Sequence, residues 1–516
     1  MASLSLTGSE PQPAGVWEAF AETGSNRQPG RVTMLHMTGC RLGIAWGFLY
    51  GHSDTKAESF MPLVRSLGAG FTKVYLFWNQ IEPEKGHFQW DAVDAFVKDL
   101  NSPEEGLISF FSTSTWAVRT PGTMIPASPA KNFDDYYRFV RTVVTHCKGR
   151  VRYWQNDSEP NNPIYWAGTK EEFVTALKVF YSAVKDADPS AVVVAGGYDG
   201  LFNPPEMFPI PGQEKGLAFF DYVMKEAGDA FDVFDLRLYA DPYTIPWRVD
   251  YIRGRMRAYG SEKPIIASEY NGPGFYEFTA NLKYAPLIVK WLHAVAAGHA
   301  NGDPAAADAG QNDVAGLYRG LSKLAPQTQM YMQGCSPQLQ SKFERMQARD
   351  LVMRNVLAFA AGVQKTTYWS LRSDVPNRDD VMNLMYGKMA LIGYDGGQLK
   401  KRYRIADAYE RMARALADVE EVVHHGVPGP PIFLFEVRRR SRRPLYVVWE
   451  RRDAFSGEDT PATALDFEWA WPGASATDAL GASIPVRVEN GLISLGVSVT
   501  PVFLEALRGS PVSVVH

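Results

Sequence analysis

Val151-Arg152-Tyr153-Trp154-Gln155-Asn156, then Thr169-Lys170-Glu171-Glu172, then Ala191-Val192-Val193-Val194-Ala195 read in order as a strand, the start of a helix and a second strand. Thr169 with Glu172 three residues on is a capping box, in which each side chain takes an amide proton that the helix start leaves unused. Behind it Phe173, Leu177, Phe180 and Val184 fall on one helical face. A helix joining two strands returns the chain to the same end of the sheet, so the strands run parallel. The pattern recurs along the chain. Candidate strands lie at Leu42–Trp46, Thr72–Phe77, Leu107–Phe111, Val151–Asn156, Ala191–Ala195, Val233–Tyr239, Pro264–Ser268 and Thr366–Leu371. Between them Asp91 precedes the stripe Val93, Phe96, Val97 and Leu100, and Gly68 closes the stripe Phe60, Val64 and Leu67 as a left-handed cap. Eight such units, with no GxGxxG after the first strand, predict an α/β fold: a closed (β/α)8 TIM barrel rather than an open doubly wound sheet.

Outward from the barrel, residues 1–40 read as an N-terminal extension and 41–415 as the barrel. The interval from Tyr270 to Lys365 is far longer than one β/α unit requires. With the polar stretch Ala300–Val314 inside it, it predicts an elaborated loop over the active face, an insertion at about 270–365. From about Val422 the apolar period becomes two. Ile432–Val437, Leu445–Trp449, Ala464–Trp469, Ile484–Val488, Leu492–Leu495 and Val502–Leu507 predict a C-terminal antiparallel β-sandwich over 416–516. The run Arg438 to Arg443 falls where two of these strands turn, and reads as a solvated turn.

The 516 residues are 46% hydrophobic and 21% charged, which suits a soluble globular chain. Lys and Arg number 53 against 57 Asp and Glu, so no general positive field exists to hold nucleic acid. Cys40, Cys147 and Cys335 are too few and too scattered for a disulfide framework or a cysteine zinc site. The histidines form neither HExxH nor HxH, so no metal and no cofactor is expected. The longest apolar run, Leu287 to Ala300, is broken by Lys290, His293 and His299, so no membrane span is expected. The first residues lack a basic start and an apolar core, which leaves two locations open: cytoplasmic, or secreted with a signal peptide already removed.

Catalytic side chains of a barrel sit at the C-terminal ends of its strands. Two glutamates are placed there, Glu159 after the fourth strand in Asn156-Asp157-Ser158-Glu159-Pro160-Asn161, and Glu269 after the seventh in Ile265-Ile266-Ala267-Ser268-Glu269-Tyr270. A carboxylate directly after an apolar strand is costly unless it faces a pocket or a partner. Two that converge on one pocket can cleave an acetal, one protonating the leaving oxygen while the other attacks the oxocarbenium-like centre. The substrate class this predicts is a carbohydrate.

Around these residues the chain resembles the retaining glycoside hydrolases of clan A, and most of all family 39 and its relatives. The resemblance rests on Phe77-Trp78-Asn79-Gln80-Ile81-Glu82-Pro83, Glu159-Pro160-Asn161 with Tyr165-Trp166-Ala167-Gly168-Thr169, Ala195-Gly196-Gly197, and more loosely Asp478-Ala479-Leu480-Gly481 and Pro501 to Glu505. It implies that Glu159 is the general acid/base, that Glu269 is the nucleophile, and that Tyr239 bonds the nucleophile. There are departures. The asparagine usual before the acid/base is Ser158, so either Asn156 takes its place through a local bulge or the sugar is held differently. The strand-two arginine corresponds to Tyr75 and the strand-six histidine to Arg237, which suggests that a cation has moved to strand six, where it would keep Glu269 ionised. Trp46, Trp78, Trp116, Trp166 and Trp369, near strand ends, are candidates for stacking on sugar rings, with core packing as the alternative. Asp157 is expected to point away from Ser158. The same residues would serve a transglycosidase, and the departures also admit a catalytically weak carbohydrate-binding barrel. A lyase or aldolase would call for a strand-end lysine or a metal cluster.

Overall fold

The computed structural model describes residues 39–47, 50–51, 60–122, 125–198, 213–301, 309–373, 377–395, 398–427 and 431–507. The expected N-terminal extension, up to residue 38, lies outside them, as does part of the polar stretch at 302–308. Eight parallel strands close a barrel in sequence order: β1 (Leu42–Ala45), β2 (Phe71–Phe77), β3 (Glu105–Phe111), β4 (Tyr153–Asn156), β5 (Val192–Tyr198), β6 (Val233–Leu236), β7 (Ile265–Tyr270) and β8 (Thr366–Tyr368), with β8 hydrogen-bonded back to β1. This is the predicted TIM barrel. Phe71, Leu107, Tyr153, Val194, Val233 and Ile266 fill its interior near the strand starts. The alternate residues face the surrounding helices. The predicted capping box is present: Thr169 Oγ1 accepts from the Glu172 amide at 3.2 Å, and Glu172 Oε2 accepts from the Thr169 amide at 2.8 Å.

The interval between β7 and β8 departs from expectation. It is no elaborated loop but a helical insertion, including Ala285–Asn301, Gln311–Arg319 and the 24-residue helix Pro337–Ala360. It has an apolar cluster of its own, with Phe275, Trp291, Val314, Met330, Tyr331, Phe343 and Met346 buried together. The Gly/Ala/Asp-rich centre hides this in the sequence, because the apolar residues that make the cluster lie on either side of it. No helix of the described residues is long and apolar enough to cross a membrane.

After a hairpin of β9 (Ile392–Asp395) and β10 (Gln398–Arg402), the barrel's last helix, Arg404–Ala415, leads to the sandwich. Its strands are β11 (Val419–His425), β12 (Ile432–Arg439), β13 (Leu445–Glu450), β14 (Thr463–Glu468), β15 (Ala474–Asp478), β16 (Val486–Glu489), β17 (Leu492–Val497) and β18 (Val502–Ala506), in a five-stranded sheet β11-β12-β13-β18-β15 and a three-stranded sheet β14-β17-β16. The sequence does not announce β11 or β15. Two adjacent glutamates and a bulge break the alternation of β11, and β15 is built of small residues. Of Arg438 to Arg443, the predicted solvated turn, Arg438 and Arg439 instead end β12 and the turn follows them. Arg438 pairs with Glu421 at 2.6 Å and Arg440 with Glu420 at 3.0 Å, while Arg439 is buried and pairs with Glu505 at 3.0 Å.

Strand alternation buries the larger sheet on both sides. Ile432, Leu434 and Val448 meet the smaller sheet, whereas Phe433, Phe435, Val447 and Trp449 join the barrel's outer core. Trp449 Nε1 donates to the Tyr243 hydroxyl at 2.9 Å. Beside this seam Glu458 of the sandwich accepts from Arg345 at 2.8 and 3.1 Å and from Arg349 at 2.5 Å, both on the 337–360 helix. Burial opposes the Glu458 charge, but the hydrogen bonds and attraction of the two arginines prevail and hold its carboxyl at about 2. A depressed carboxyl stabilises the fold above its unfolded value near 4.5, and that contribution is lost as pH falls toward 2. Glu458→Ala leaves Arg349, only 2% exposed, without its partner, and is expected to destabilise the chain by about 3 kcal/mol at pH 7. Calorimetry checks this: the gap between variant and parent closes as pH drops below 4.5.

Candidate active site

Two irregularities aim the strand ends. Along β6 and the three residues that follow it the alternation is regular, so Val233, Asp235, Arg237 and Tyr239 face inward while Phe234, Leu236 and Leu238 pack outside. In β7 the pairing with β8 shifts register between Ala267 and Tyr270. Ala267 and Tyr270 remain in the outer core, and the two residues between them, Ser268 and Glu269, both face the interior. A bulge is a known means of re-aiming a side chain at a site. At β4 the chain leaves its strand through Asp157 and Glu159, with φ of 43° and 52°, left-handed values that cost a non-glycine residue of order 1 kcal/mol each and that gather at functional sites.

Glu159 and Glu269 meet at one guanidinium. Arg237 Nε lies 3.3 Å from Glu159 Oε1, and its Nη2 lies 2.9 Å from Glu269 Oε1. Its Nη1 donates to Asp235 Oδ2 at 2.8 Å and Ser268 Oγ at 2.7 Å, and Nη2 also donates to Ser158 Oγ. Glu269 is 4% exposed. It accepts from Lys73 Nζ at 3.1 Å, from the Tyr239 hydroxyl at 3.1 Å and from the Tyr75 hydroxyl. Burial pushes the Glu269 carboxyl above its ordinary value, and the charge and hydrogen bond of Lys73 oppose this. Lys73 is itself pushed down to about 8 by burial and by repulsion from Arg237, with Glu269 and Asp235 pulling the other way. Asp235 stays below its ordinary value, because Arg237, Lys73 and the hydrogen bonds of Ser268 outweigh its burial. Two cations thus face two carboxylates, and at Glu269 they oppose a burial that on balance still raises its carboxyl.

The fold brings Glu159, Glu269, Ser158, Arg237 and Tyr239 together. Trp369 belongs with them, its ring 5.6 Å from that of Tyr75, and the Tyr386 ring stands 6.1 Å from that of Tyr239. Trp166 is buried, packs edge-on against Phe173 and donates to the Thr169 carbonyl at 3.1 Å; the open cavity of about 420 Å³ that it lines with Pro160, Asn161, Lys170 and Phe219 does not include Glu159 or Glu269. Asn156 is not brought to the site. Alternation turns it outward, where its Oδ1 accepts from the Tyr136 hydroxyl in the helix layer, so it does not stand in for the missing asparagine. Asp157 faces the other way from Ser158, as expected, and accepts from the Ser112 amide at 2.9 Å and hydroxyl at 2.7 Å. Trp46, Trp78 and Trp116 also serve packing rather than the site. Trp46 is fully buried edge-on against Tyr50 and Phe60. Trp78 stacks on Phe139 and donates to Glu82 Oε2 at 2.9 Å, and Trp116 lies across Trp78 and donates to the Glu82 carbonyl at 3.0 Å.

Sequence reasoning passed over Lys73, Asp235 and Ser268. The signal was there: Lys73 and Tyr75 lie two apart in an otherwise apolar strand, as do Asp235 and Arg237, which puts each pair on one face. The cation has therefore not moved from strand two to strand six, since Lys73 and Arg237 supply one each. Among the described residues no group of three His, Cys, Asp or Glu could hold a metal ion.

No family model matches the sequence, and no curated protein matches it. Solved structures do share its fold. A family 39 glycoside hydrolase from Bacteroides cellulosilyticus superposes with a TM-score of 0.59 at 15% identity, over 90% of this chain and 81% of that one. A family 39 β-xylosidase from Caulobacter crescentus gives 0.53 at 12% identity over 92% and 98%, and a family 30 endoxylanase from Clostridium papyrosolvens gives 0.52 at 11% over 90% and 96%. At such identities the likeness is one of fold.

Proposed function

We propose that the chain is a retaining glycosidase, with the barrel of residues 41–415 carrying the chemistry on a carbohydrate substrate. The observation that carries this reading is the single guanidinium shared by carboxylates from β4 and β7. That the structures of like fold are glycoside hydrolases supports it.

A carboxylate of Glu269 attacks the anomeric carbon while the bond from that carbon to the leaving oxygen breaks, and the Glu159 carboxyl gives that oxygen its proton. The product is a glycosyl ester on Glu269 and an ionised Glu159. Glu159 then removes a proton from water, the water oxygen bonds to the anomeric carbon, and Glu269 departs as carboxylate. Lys73, Arg237 and the Tyr239 hydroxyl stabilise Glu269 as the anion that attacks and later leaves. Trp369 offers a flat face at the end of β8 for the sugar ring. The test is a screen of nitrophenyl glycosides of both anomers, with NMR of the first product formed. Hydrolysis with the product in the same anomeric configuration as the substrate is expected. Inverted product would instead call for carboxyl groups about 6.5–9.5 Å apart with a water held between them, against about 5–5.5 Å for retention. Binding without turnover would sink the enzymatic reading.

A further inference from the structure

The long helix Pro337–Ala360 carries a guanidinium whose hydrogen bonds reach the catalytic floor from outside the barrel. Arg354 is 1% exposed. Its Nη1 donates to the carbonyls of Leu238 and Ala240, each at 2.6 Å, and these two residues flank Tyr239. Its remaining donors are held by Asp350 in a two-pronged pair, Nε to Oδ1 at 2.9 Å and Nη2 to Oδ2 at 2.6 Å. Asp350 thus fixes the plane of the guanidinium and leaves one nitrogen for the two carbonyls. Those carbonyls converge because Ala240 turns the chain at φ 68°, in the left-handed region that alanine seldom adopts. A strained turn persists when the surroundings over-determine it, and here Arg354 is what closes it.

The clamped segment touches Glu269 twice. The Leu238 amide donates to the Glu269 carbonyl at 3.2 Å, and the Tyr239 hydroxyl donates to Glu269 Oε2 at 3.1 Å. The strand carrying Glu269 also passes against the clamp just beyond it. A Cβ at Gly272 would lie 2.2 Å from Asp350 Oδ1 and 2.3 Å from Arg354 Nη2, so only glycine lets the chain pass. Glu277, 3.5 Å from Arg354 Nη2, ties the loop beyond β7 to the same cation and accepts from the Gly274 amide at 2.7 Å. Other charges stand near: Arg248, whose Nη1 donates to the Arg237 carbonyl at 3.3 Å, and Asp241.

We propose that Arg354 is a positioning residue for the reaction: by clasping the carbonyls on both sides of Tyr239 it holds that hydroxyl on Glu269, although it reaches no substrate itself. The proposal rests on Glu269 being the nucleophile. Without the clasp the Ala240 turn relaxes and the Tyr239 hydroxyl leaves Oε2. Glu269 then keeps Lys73, Arg237 and Tyr75, with Glu159 and Asp235 as the neighbouring anions, but its anion loses one donor and its proton is held more tightly.

The experiment compares Arg354→Lys, and the charge-free pair Asp350→Leu with Arg354→Met, against the parent and in a Tyr239→Phe background, on an activated aryl glycoside, with melting temperatures recorded alongside. In the parent background Arg354→Lys is expected to lower kcat/KM by about 10–100-fold, mostly through kcat, and to move the acid limb of the profile to higher pH. In the Tyr239→Phe background the same change is expected to cost no more than about twofold and to leave the limb in place, because the contact it serves is already gone. The charge-free pair is expected to repeat this pattern while keeping the two buried charges from being left unpaired. Equal losses in both backgrounds, an unmoved acid limb, or parent-like turnover in a folded Arg354→Lys would overturn the proposal. A wrong assignment of the nucleophile shows itself separately, since Glu269→Ala would then keep its turnover whatever Arg354 does.

Discussion

Glu269→Ala is expected to lower kcat by about 10⁵-fold on every glycoside the parent hydrolyses, good leaving groups included. The breadth follows from the role. A leaving group that departs easily removes the need for a proton donor, but not the need for a nucleophile at the anomeric carbon. The shortened side chain also vacates a space lined by Lys73, Arg237, Tyr75 and Tyr239, all donors to an anion. Added azide or formate is therefore expected to enter, attack the anomeric carbon from the face Glu269 used, and restore turnover with inversion at that carbon. Kinetics with and without the anion, and NMR of the glycosyl azide, check both points. Near-parent hydrolysis by this variant would end the assignment. In the parent, burial has raised the carboxyl, and an attacking group must be ionised. The acid limb of kcat/KM is accordingly expected above the ordinary glutamate value of 4.5, with activity falling as pH drops through it.

Glu159→Ala is expected to behave in a graded way. With leaving groups of high basicity the loss is about 10²–10⁴-fold, the usual worth of a placed proton donor. With dinitrophenyl glycosides, whose leaving oxygen needs no proton, formation of the glycosyl ester continues. Its hydrolysis slows, because Glu159 no longer draws a proton from water. A burst of phenolate followed by a slow steady state is the expected signature. Azide, which needs no general base, removes the slow phase and gives a product of retained configuration. The slope of log(kcat/KM) against leaving-group pKa steepens from parent to variant; equal slopes would assign the donor elsewhere. The opposite stereochemistry of azide products from the two variants separates the two roles in one pair of experiments.

The two glutamates stood out in the sequence because Glu269 lies at the end of one barrel strand and Glu159 three residues past another, whereas the roles proposed for them came from the resemblance. The eight strands were legible for a related reason. A barrel strand is buried on both sides and reads as an uninterrupted apolar run, and the flanking helices carry caps of fixed chemistry. What escaped has physical causes too. Charges inside a barrel are scarce, and a reading that looks only to the strand ends passes over Lys73 and Asp235 lower in the cylinder. A one-residue register slip leaves no compositional trace, so nothing in Ala267-Ser268-Glu269-Tyr270 says that two consecutive side chains turn inward. Tryptophans near strand ends face either the sugar or the helices. Only the surrounding layer, Tyr50 and Phe60 for Trp46 or Phe139 for Trp78, decides which, and that layer is assembled from distant segments. The insertion between β7 and β8 was legible as an insertion by length alone. Its helical core was obscured by the polar stretch at its centre, although Arg354 of its last helix is the residue on which the pose of Tyr239 depends.

The larger sheet of the C-terminal domain has apolar side chains on each of its two surfaces, one of them seated on the barrel's own helices. Ending the chain at Ala415 would strip a cover from Tyr243, which also bonds Met353 one residue before Arg354. The C-terminal domain is for that reason no detachable cassette. A barrel expressed without it would expose a greasy flank to water and loosen the scaffold behind Glu269, so recombination that trades such domains must carry the matching barrel surface along with them.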